Sequence, residues 1–272
     1  MVQLAELTAA LAPAGLNMVG VAEPAAWNRV ALASRTTDAL FPATRAIVVV
    51  GNGGPTLWRR FVADLEANPR HLLEEPNPLD AFARRAVLAA DAAWGTTPRR
   101  WFFAAADAEL HIDFRVAAQL AGLGAASRLG LLLHPEFGPW VGLRAACFVA
   151  ADLPFASPMT DNPCAGCPAP CVSACPGRAF PGGSWSVDAC GAFKSSSDRC
   201  THHCFSRAAC PVGSENRYDD AGFRYHNDRA SGRRALREHL GIADGEDPFE
   251  GTGPYWGDWK ARINATGRRD GA

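Results

Sequence analysis

The stretch CAGCPAPCVSACP, residues 164–176, holds four closely spaced cysteines and ends in a Cys-Pro pair. Eight of the nine cysteines of the chain lie between Cys164 and Cys210, and Cys210 is again followed by proline. A short loop with this spacing turns several thiolates toward one point, which a regular helix or strand does not do. Two four-iron clusters need eight thiolates, so the count predicts two 4Fe-4S clusters.

The assignment of cysteines to clusters follows the two-cluster ferredoxin pattern, in which the cysteine before proline ligates the other cluster. The predicted ligands of the first cluster are Cys164, Cys167, Cys171 and Cys210. Those of the second cluster are Cys175, Cys190, Cys200 and Cys204. The spacing is wider than in bacterial ferredoxins, since three residues separate Cys167 from Cys171 and the second half reads CxxxC and then CxxxxxC.

Three other uses of these cysteines stay open. Disulfides suit secreted domains, but the start MVQLAELTAALAPAG has neither the basic residues nor the long apolar run of a signal peptide. Four-thiolate zinc sites also use CxxC pairs, although a long loop usually separates the two pairs. A single cluster with spare cysteines would suit the irregular second half.

Composition sets wider limits on function. The chain has 272 residues, of which 48% are hydrophobic and 20% charged, so it can bury a core far larger than that of a ferredoxin. A formal net charge of −1 predicts neither a nucleic-acid partner nor an acidic membrane surface, and no apolar run is long enough to cross a bilayer. We expect a cytoplasmic protein, because thiolates stay reduced there.

The chain divides near Pro158, where alternating helical and strand patterns give way to Cys, Gly, Pro and Ser. We predict a body over residues 1–157, a cysteine region over 158–218 and a C-terminal segment over 219–272 that packs on the body. The body is predicted to be α+β. Its expected elements are a helix at Leu4 to Leu11, a buried strand at Ile47 to Val50, helices within 57–67 and 79–94, a strand near Trp101, a helix after Asp113, and two strands joined by a turn at Pro135 to Pro139.

The segment AGLGAASRLGLLLHPEFGPWVGLRA, residues 121–145, resembles the epoxyqueuosine reductases and reductive dehalogenases. In these proteins an AGLGxxGK-like helix end precedes a strand, a Pro-x-x-Gly turn and a second strand, and a two-cluster cysteine region follows. The segment is also similar to the cobalamin-processing, decyanating proteins, whose motif HPxFGxWxxxR matches residues 134–144. The resemblance implies a nitroreductase-like three-layer body followed by a ferredoxin-like, loop-rich iron–sulfur region.

The resemblance also implies an activity. Electrons from a soluble donor such as ferredoxin or flavodoxin would pass through the clusters to a cobalamin, for reductive chemistry on a small molecule or on cobalamin itself. A flavin is the alternative cofactor. Other candidates are a cobalamin-binding protein without a separate substrate, an electron-transfer protein without corrinoid, and a zinc-stapled structural protein.

Two differences from the epoxyqueuosine reductases count against a transfer RNA substrate. Their glycine motif has Trp, Gly and Lys where this chain has Ala125, Ser127 and Arg128. The sequence also has no room for the helical-repeat tail that those enzymes use against transfer RNA. No nucleic-acid partner is therefore expected.

The resemblance implies candidate site residues in the body. Those expected to bind the cofactor are Gly122, Gly124, His134, Gly138, Trp140 and Arg144. Asp113 and His111 are candidate proton donors. The alternatives are that Asp113 caps the following helix, that His111 is an ordinary surface or core residue, and that His134 and Arg144 anchor the turn between the strands. In the C-terminal segment, Tyr255, Trp256 and Trp259 are expected to pack over the body or a cofactor pocket.

Overall fold

A four-stranded antiparallel sheet forms the centre of this computed structural model, which describes residues 4–104 and 112–250. The strand order is β1-β2-β6-β3. Its strands are β1 Met18–Ala22, β2 Ala46–Gly53, β3 Arg99–Phe103 and β6 Val141–Val149. A separate antiparallel pair consists of β4 Ala125–Ala126 and β5 Leu132–Leu133. His111, Tyr255, Trp256 and Trp259 lie outside the described residues.

Helices cover both faces of the four-stranded sheet. In the body they are α1 Leu4–Leu11, α2 Pro24–Asn28, α3 Thr37–Leu40, α4 Thr56–Ala67, α5 Arg70–Glu74, α6 Pro78–Ala90 and α7 Phe114–Leu120. Alternate residues of β2 belong to two different apolar cores. Val48 and Val50 pack with α1, α4 and α6, whereas Ile47 and Val49 pack with α2 and α7. The sheet is therefore the middle layer between two cores.

The position of β2 in the centre of the sheet explains the continuous apolar run over residues 46–50. All eight of its residues are buried, and it pairs with β1 on one side and β6 on the other. Such a continuous apolar run is typical of parallel strands, which are covered on both faces. Here an antiparallel strand has the same pattern, because helices cover both faces of this sheet too.

The predicted helix at Leu4 to Leu11 and the predicted strand within β2 are confirmed. The strands near Trp101 and on both sides of the Pro135 turn are also present. The last two do not form a hairpin, however. β5 pairs with β4, and β6 crosses to the central sheet, because only β6 is long enough to lie between β2 and β3.

The cysteine region contains short helices joined by loops. They are α8 Pro170–Ser173, α9 Val187–Ser196 and α10 Phe205–Ala208. No strand is assigned to residues 158–218, all of which the structure describes, so the expected ferredoxin-like character lies in the cysteine spacing alone.

The C-terminal segment continues with α11 Asp220–Asn227 and α12 Arg229–Leu240. Tyr225 of α11 and Leu236 of α12 belong to the core that contains Val48 and Val50. The chain therefore returns to the body after the cysteine region. Within 4–104 and 112–250, no helix combines the length and apolar character needed to cross a membrane.

Candidate functional site

The first group of thiols borders a small cavity between the body and the cysteine region. Burial raises the pKa of the Cys210 thiol, and charges on three other thiols raise it further. These three are Cys164, Cys167 and Cys171, and all four line the cavity. Apolar side chains from both regions close around them, namely Leu129, Leu133, Phe180 and Val212. The predicted ligands of the first cluster are thus neighbours in space.

The second group of thiols lies beside the first. Burial raises the pKa of the Cys190 thiol, and charges on Cys204 and Cys175 raise it further. Burial likewise raises the pKa of Cys200, with Cys204 and Cys175 again acting in the same direction. Cys175 also packs against the apolar cluster of the first group, so the two groups are adjacent.

Local backbone geometry turns the first run of cysteines inward. Ala169, between Cys167 and Cys171, has a φ of 55° and precedes the single turn of α8. Alanine adopts this left-handed conformation at a cost of about 1–2 kcal/mol. The backbone amide of Ala179 lies 3.4 Å from Cys175 Sγ and donates to it. The loop therefore directs both thiols and amide donors toward the two groups.

The four thiols of the first group line a cavity. Each of the nine cysteines is a free thiol. Among the described residues, no three Cys, His, Asp or Glu side chains come close enough together to hold one metal ion.

The turn after β5 is where the body meets the cysteine region. His134 Nδ1 accepts hydrogen bonds from the backbone amides of Glu136 and Phe137, at 3.1 and 3.2 Å. Gly138 has a φ of 57°, and a Cβ there would lie 1.9 Å from the carbonyl oxygen of Val212. Burial lowers the pKa of His134, although Glu136 opposes this. His134 therefore stabilises the turn itself, whereas Gly138 allows the turn to pack against the loop that follows Cys210.

The glycines after α7 are also packed against protein. A Cβ on Gly122 would lie 2.8 Å from the carbonyl oxygen of Ser157, and one on Gly124 would lie 2.6 Å from that of Leu133. Both glycines have positive φ, at 69° and 151°. Close contact with neighbouring backbone therefore accounts for both glycines.

Trp140 is fully buried between the two regions. Its ring packs edge-on against Tyr218 and Phe223, with ring centroids 5.6 and 5.3 Å away. The guanidinium of Arg207, on α10, lies 4.8 Å from the centre of the indole and donates to the carbonyl oxygen of Pro139. Trp140 thus joins β6 to the helix that lies between Cys204 and Cys210.

Arg144 occupies a bulge in β6. Val50 pairs with Ala145 and Gly51 pairs with Leu143, so Arg144 is the extra residue. A bulge bends a strand and redirects a side chain, and bulges are common next to functional sites. Arg144 Nε donates to Asn52 Oδ1 at 2.9 Å, and one terminal nitrogen donates to Asp80 Oδ1 at 3.0 Å. The other terminal nitrogen is buried without a hydrogen-bond partner among the described residues.

Asp113 is the N-cap of α7. Its carboxylate accepts hydrogen bonds from the backbone amides of Arg115 and Val116, at 3.1 and 3.2 Å. This is the capping role that an aspartate in front of a helical pattern predicts. Catalysis by Asp113 and His111 stays a prediction.

Three further residues lie near Arg144, and none of them belongs to a sequence motif. Arg207, His226 and Arg229 come from three different helices, and the structure brings them toward β6. The charges of Arg144, Arg207 and Arg229 all act on His226. The only sequence signal was the basic character of residues 224–237, which by itself is typical of a solvated helix face.

No protein-family model matches this chain, and no curated protein matches it in sequence. Its structure is nevertheless similar to solved structures. Epoxyqueuosine reductase from Streptococcus thermophilus aligns with a TM-score of 0.55 and 12% identity, covering 98% of this chain and 79% of that one. The C. elegans B12-trafficking protein CblC aligns with a TM-score of 0.55 and 11% identity, covering 91% and 95%.

The catabolic reductive dehalogenase NpRdhA aligns with a TM-score of 0.50 and 15% identity, covering 95% of this chain and 36% of the dehalogenase chain. At these identities the likeness concerns the fold. The resemblance predicted from residues 121–145 is confirmed at that level: the chain is similar in fold to epoxyqueuosine reductase, to CblC and to reductive dehalogenases.

Proposed function

We propose that the protein is an iron–sulfur oxidoreductase that holds two 4Fe-4S clusters and passes electrons through them to a corrinoid. The corrinoid would carry out reductive chemistry on a small molecule or on cobalamin itself. One observation carries the proposal. The eight thiols fall into two groups, and each combines cysteines of the first run with cysteines of the second half in the crossed order of a two-cluster protein.

The surroundings of the thiols favour iron–sulfur clusters over single metal ions as the bound group. A cubane contains four irons, so its thiolates stand farther apart than the ligands of one tetrahedral ion. Leu129, Leu133 and Phe180 keep the first group largely dry. The Ala179 amide at Cys175 and the Trp185 side chain at Cys190 supply hydrogen bonds to sulfur. Hydrogen bonds and solvent exposure tune cluster potentials, and bound clusters supply one-electron transfer.

The corrinoid is proposed from the fold likeness, because CblC is a B12-trafficking protein. The sheet with a helical layer on each face also suits the nitroreductase-like body implied by the resemblance. The role of the six predicted residues in cofactor binding stays a prediction. Gly122, Gly124 and Gly138 contact backbone, and Trp140 is buried. We therefore assign no corrin-binding residues and derive no step through the cobalt.

A second candidate is a protein that binds and processes cobalamin without a separate substrate. The alignment favours it, since it covers 95% of CblC and thus nearly all of a protein of that kind. In either case the electron donor is proposed to be a soluble protein such as ferredoxin or flavodoxin. The number of free thiols supports a reducing compartment, such as the cytoplasm.

Anaerobic reconstitution followed by iron and sulfide analysis tests the clusters. We expect about eight irons and eight sulfides per chain. Cys175→Ser should remove one cluster and leave the spectrum of the other, and Cys171→Ser should do the reverse. Cys147→Ala is the matched control, because Cys147 is fully buried in the sheet and belongs to neither group. Equal damage by the first two variants would contradict the crossed assignment.

Titration of the reconstituted protein with cob(II)alamin tests the corrinoid. A change in the corrinoid spectrum and co-elution on gel filtration are expected, and a parallel titration with flavin mononucleotide tests the alternative cofactor. If neither compound is retained while both clusters are present, the protein is an electron-transfer protein without corrinoid. Tight zinc with no broad visible absorption would contradict the redox proposal altogether.

A further inference from the structure

A lysine lies beside the second thiol group. Of the 27 lysines and arginines in the chain, only two are lysines, Lys194 and Lys260. Lys194 lies on α9 four residues after Cys190, so the two side chains are neighbours on one face of the helix. Lysine carries its charge as a compact ammonium group on a long stem, and can therefore place it close to a neighbouring sulfur.

Hydrogen bonds hold the ammonium group of Lys194 in place. Lys194 Nζ donates to the backbone carbonyl oxygen of Asn227 at 2.9 Å, at the C-terminal end of α11. The side-chain amide of Asn227 in turn donates to the carbonyl oxygens of Cys200 and Thr201. The charge of Lys194 is thereby anchored near Cys190 on its own helix and near Cys200 in the segment that follows.

The thiols of the second group and Lys194 act on one another electrostatically. Burial lowers the pKa of Lys194, and the charge of Cys190 opposes this more strongly than that of Asp228 does. Burial raises the pKa of Cys190 and of Cys200, and the charge of Lys194 opposes the rise at both thiols. Arg199 supplies a second positive charge that acts on Cys200.

The first thiol group has a different environment. Its members Cys171 and Cys210 are buried, whereas all four thiols of the second group are partly exposed. Burial raises the pKa of Cys171 and of Cys210, and the leading charges at both come from other thiols. Arg128 lines the cavity of the first group, but its side chain is exposed, so solvent screens its charge. The half-buried charge of Lys194 therefore distinguishes the second group from the first.

This difference matters for electron transfer. A four-iron cluster bound by four thiolates is anionic, and its reduction adds a further negative charge. A nearby cation stabilises that charge, and so does contact with solvent. Both effects raise a reduction potential, and both are greater at the second thiol group.

We propose that Lys194 raises the reduction potential of the second cluster above that of the first, so that an incoming electron resides on the second cluster. This role rests on the two clusters of the proposed function. The electron comes from the reduced soluble donor protein, which loses one electron as the second cluster gains one, and no bond forms or breaks. Lys194 is thus a residue that tunes a potential, and Asn227 positions its ammonium group.

Redox titration of the reconstituted full chain, followed by visible absorption and electron paramagnetic resonance, tests this role. Two separate potentials are expected, and Cys175→Ser, which should lack the second cluster, should keep only the lower one. Lys194→Gln retains a hydrogen-bond donor but removes the charge. The higher potential should then fall by about 59 mV, which is a tenfold change in the ratio of reduced to oxidised cluster for one electron. The lower potential should not move, and Lys194→Arg should keep most of the difference.

Two further variants keep the experiment decisive if Lys194→Gln loses the second cluster. Arg199 is exposed, so Arg199→Gln should lower the same potential by less than tenfold. Arg234→Gln is the control, because Arg234 is exposed on α12 and should leave both potentials unchanged.

The proposal is overturned if the unmodified chain shows a single potential, or if Cys175→Ser keeps the higher one. It is also overturned if Lys194→Gln leaves the higher potential unchanged, or if Lys194→Arg lowers it as much as Lys194→Gln does. Iron and sulfide analysis of each sample separates these results from failure of the proposed function, in which no clusters would form.

Discussion

The body and the cysteine region are stabilised in different ways. The body has a sheet whose central strand is buried along all eight residues, with an apolar core on each face. The cysteine region has three helices of four, ten and four residues, and the apolar cluster that it shares with the body has five buried members, two of them thiols and two of them leucines of the body. Isolated helices of this length are marginal in water. We infer that the body folds by apolar burial and that the cysteine region depends on its cofactors for order.

Removal of iron is expected to have the largest effect on the difference in stability between the body and the cysteine region. After chelation, amide hydrogen exchange in residues 164–210 should accelerate by about a hundredfold or more, because ligation and folding are coupled. Exchange in β2 should change little. Mass spectrometry of peptides from both segments measures this. If both segments keep their protection against amide exchange after chelation, the cysteine region is stabilised by its own packing. The inferred difference between the two regions is then wrong.

The ion pair of Arg233 with Asp247 tests whether the body also depends on the chain that follows the cysteines. Both side chains are almost completely buried, 3% and 1% exposed, and Arg233 also donates to the carbonyl oxygens of Leu72 and Glu75. Arg233→Met removes the ion-pair partner of a buried carboxylate, so a loss of about 3–5 kcal/mol in the free energy of unfolding is expected. Urea denaturation measures it, with Arg234→Met as the exposed control on the same helix.

The ion pair of Arg233 with Asp247 also predicts that the free energy of unfolding depends on pH. Burial pushes the pKa of Asp247 up, but hydrogen bonds and charge from Arg233 outweigh burial and hold it below the ordinary value. A carboxylate whose pKa is lower in the folded state contributes stability above its unfolded pKa of about 3.9, and this contribution is lost as pH falls through the folded value. Stability should therefore decline below about pH 4 in the unmodified chain. Arg233→Met should lack this contribution; an identical pH profile would contradict the assignment.

The junction at Gly138 tests how the two regions are joined. Gly138→Ala should cost about 1–2 kcal/mol for positive φ, and about 1–3 kcal/mol more because the new methyl group would meet Val212. Gly241→Ala is the control, since Gly241 is left-handed with a φ of 66° and a Cβ added there would meet nothing within 4 Å. The difference between the two urea midpoints isolates the contact. Iron retention should fall in Gly138→Ala alone, because Val212 follows Cys210 closely.

The smallest expected effect concerns the left-handed residue inside the first cysteine run. Ala169→Gly should raise the free energy of unfolding by about 0.5–1 kcal/mol, because relief of strain exceeds the entropy cost of glycine. Ala165→Gly, at a position without positive φ, should lower it instead. Thermal unfolding of the reconstituted protein compares the two. If both variants were less stable than the unmodified chain, the strain at Ala169 would contribute nothing to the free energy of unfolding.

Several elements of the body could be predicted because their sequence signals act between neighbouring residues. The β-branched run in β2, the helical spacing of α1 and the aspartate in front of α7 act through neighbouring residues, and each has the predicted structure. The pairing of the strands could not be predicted in the same way. β5 and β6 are adjacent in sequence but belong to different sheets, since pairing depends on which distant strand has a free edge and a matching length.

By itself the sequence determined an α+β body and a cysteine region with eight thiols, because hydrophobic periodicity and residue counts can be read along the chain, whereas the crossed assignment of those thiols to two clusters stays a prediction. Only the tertiary structure decided that the glycines predicted to bind the cofactor contact backbone, and that Trp140 is buried between the body and the cysteine region. It alone placed Arg144 on a bulge facing Arg207, His226 and Arg229. These four residues are up to 85 positions apart, from 144 to 229, so their meeting depends on how the sheet and three helices pack.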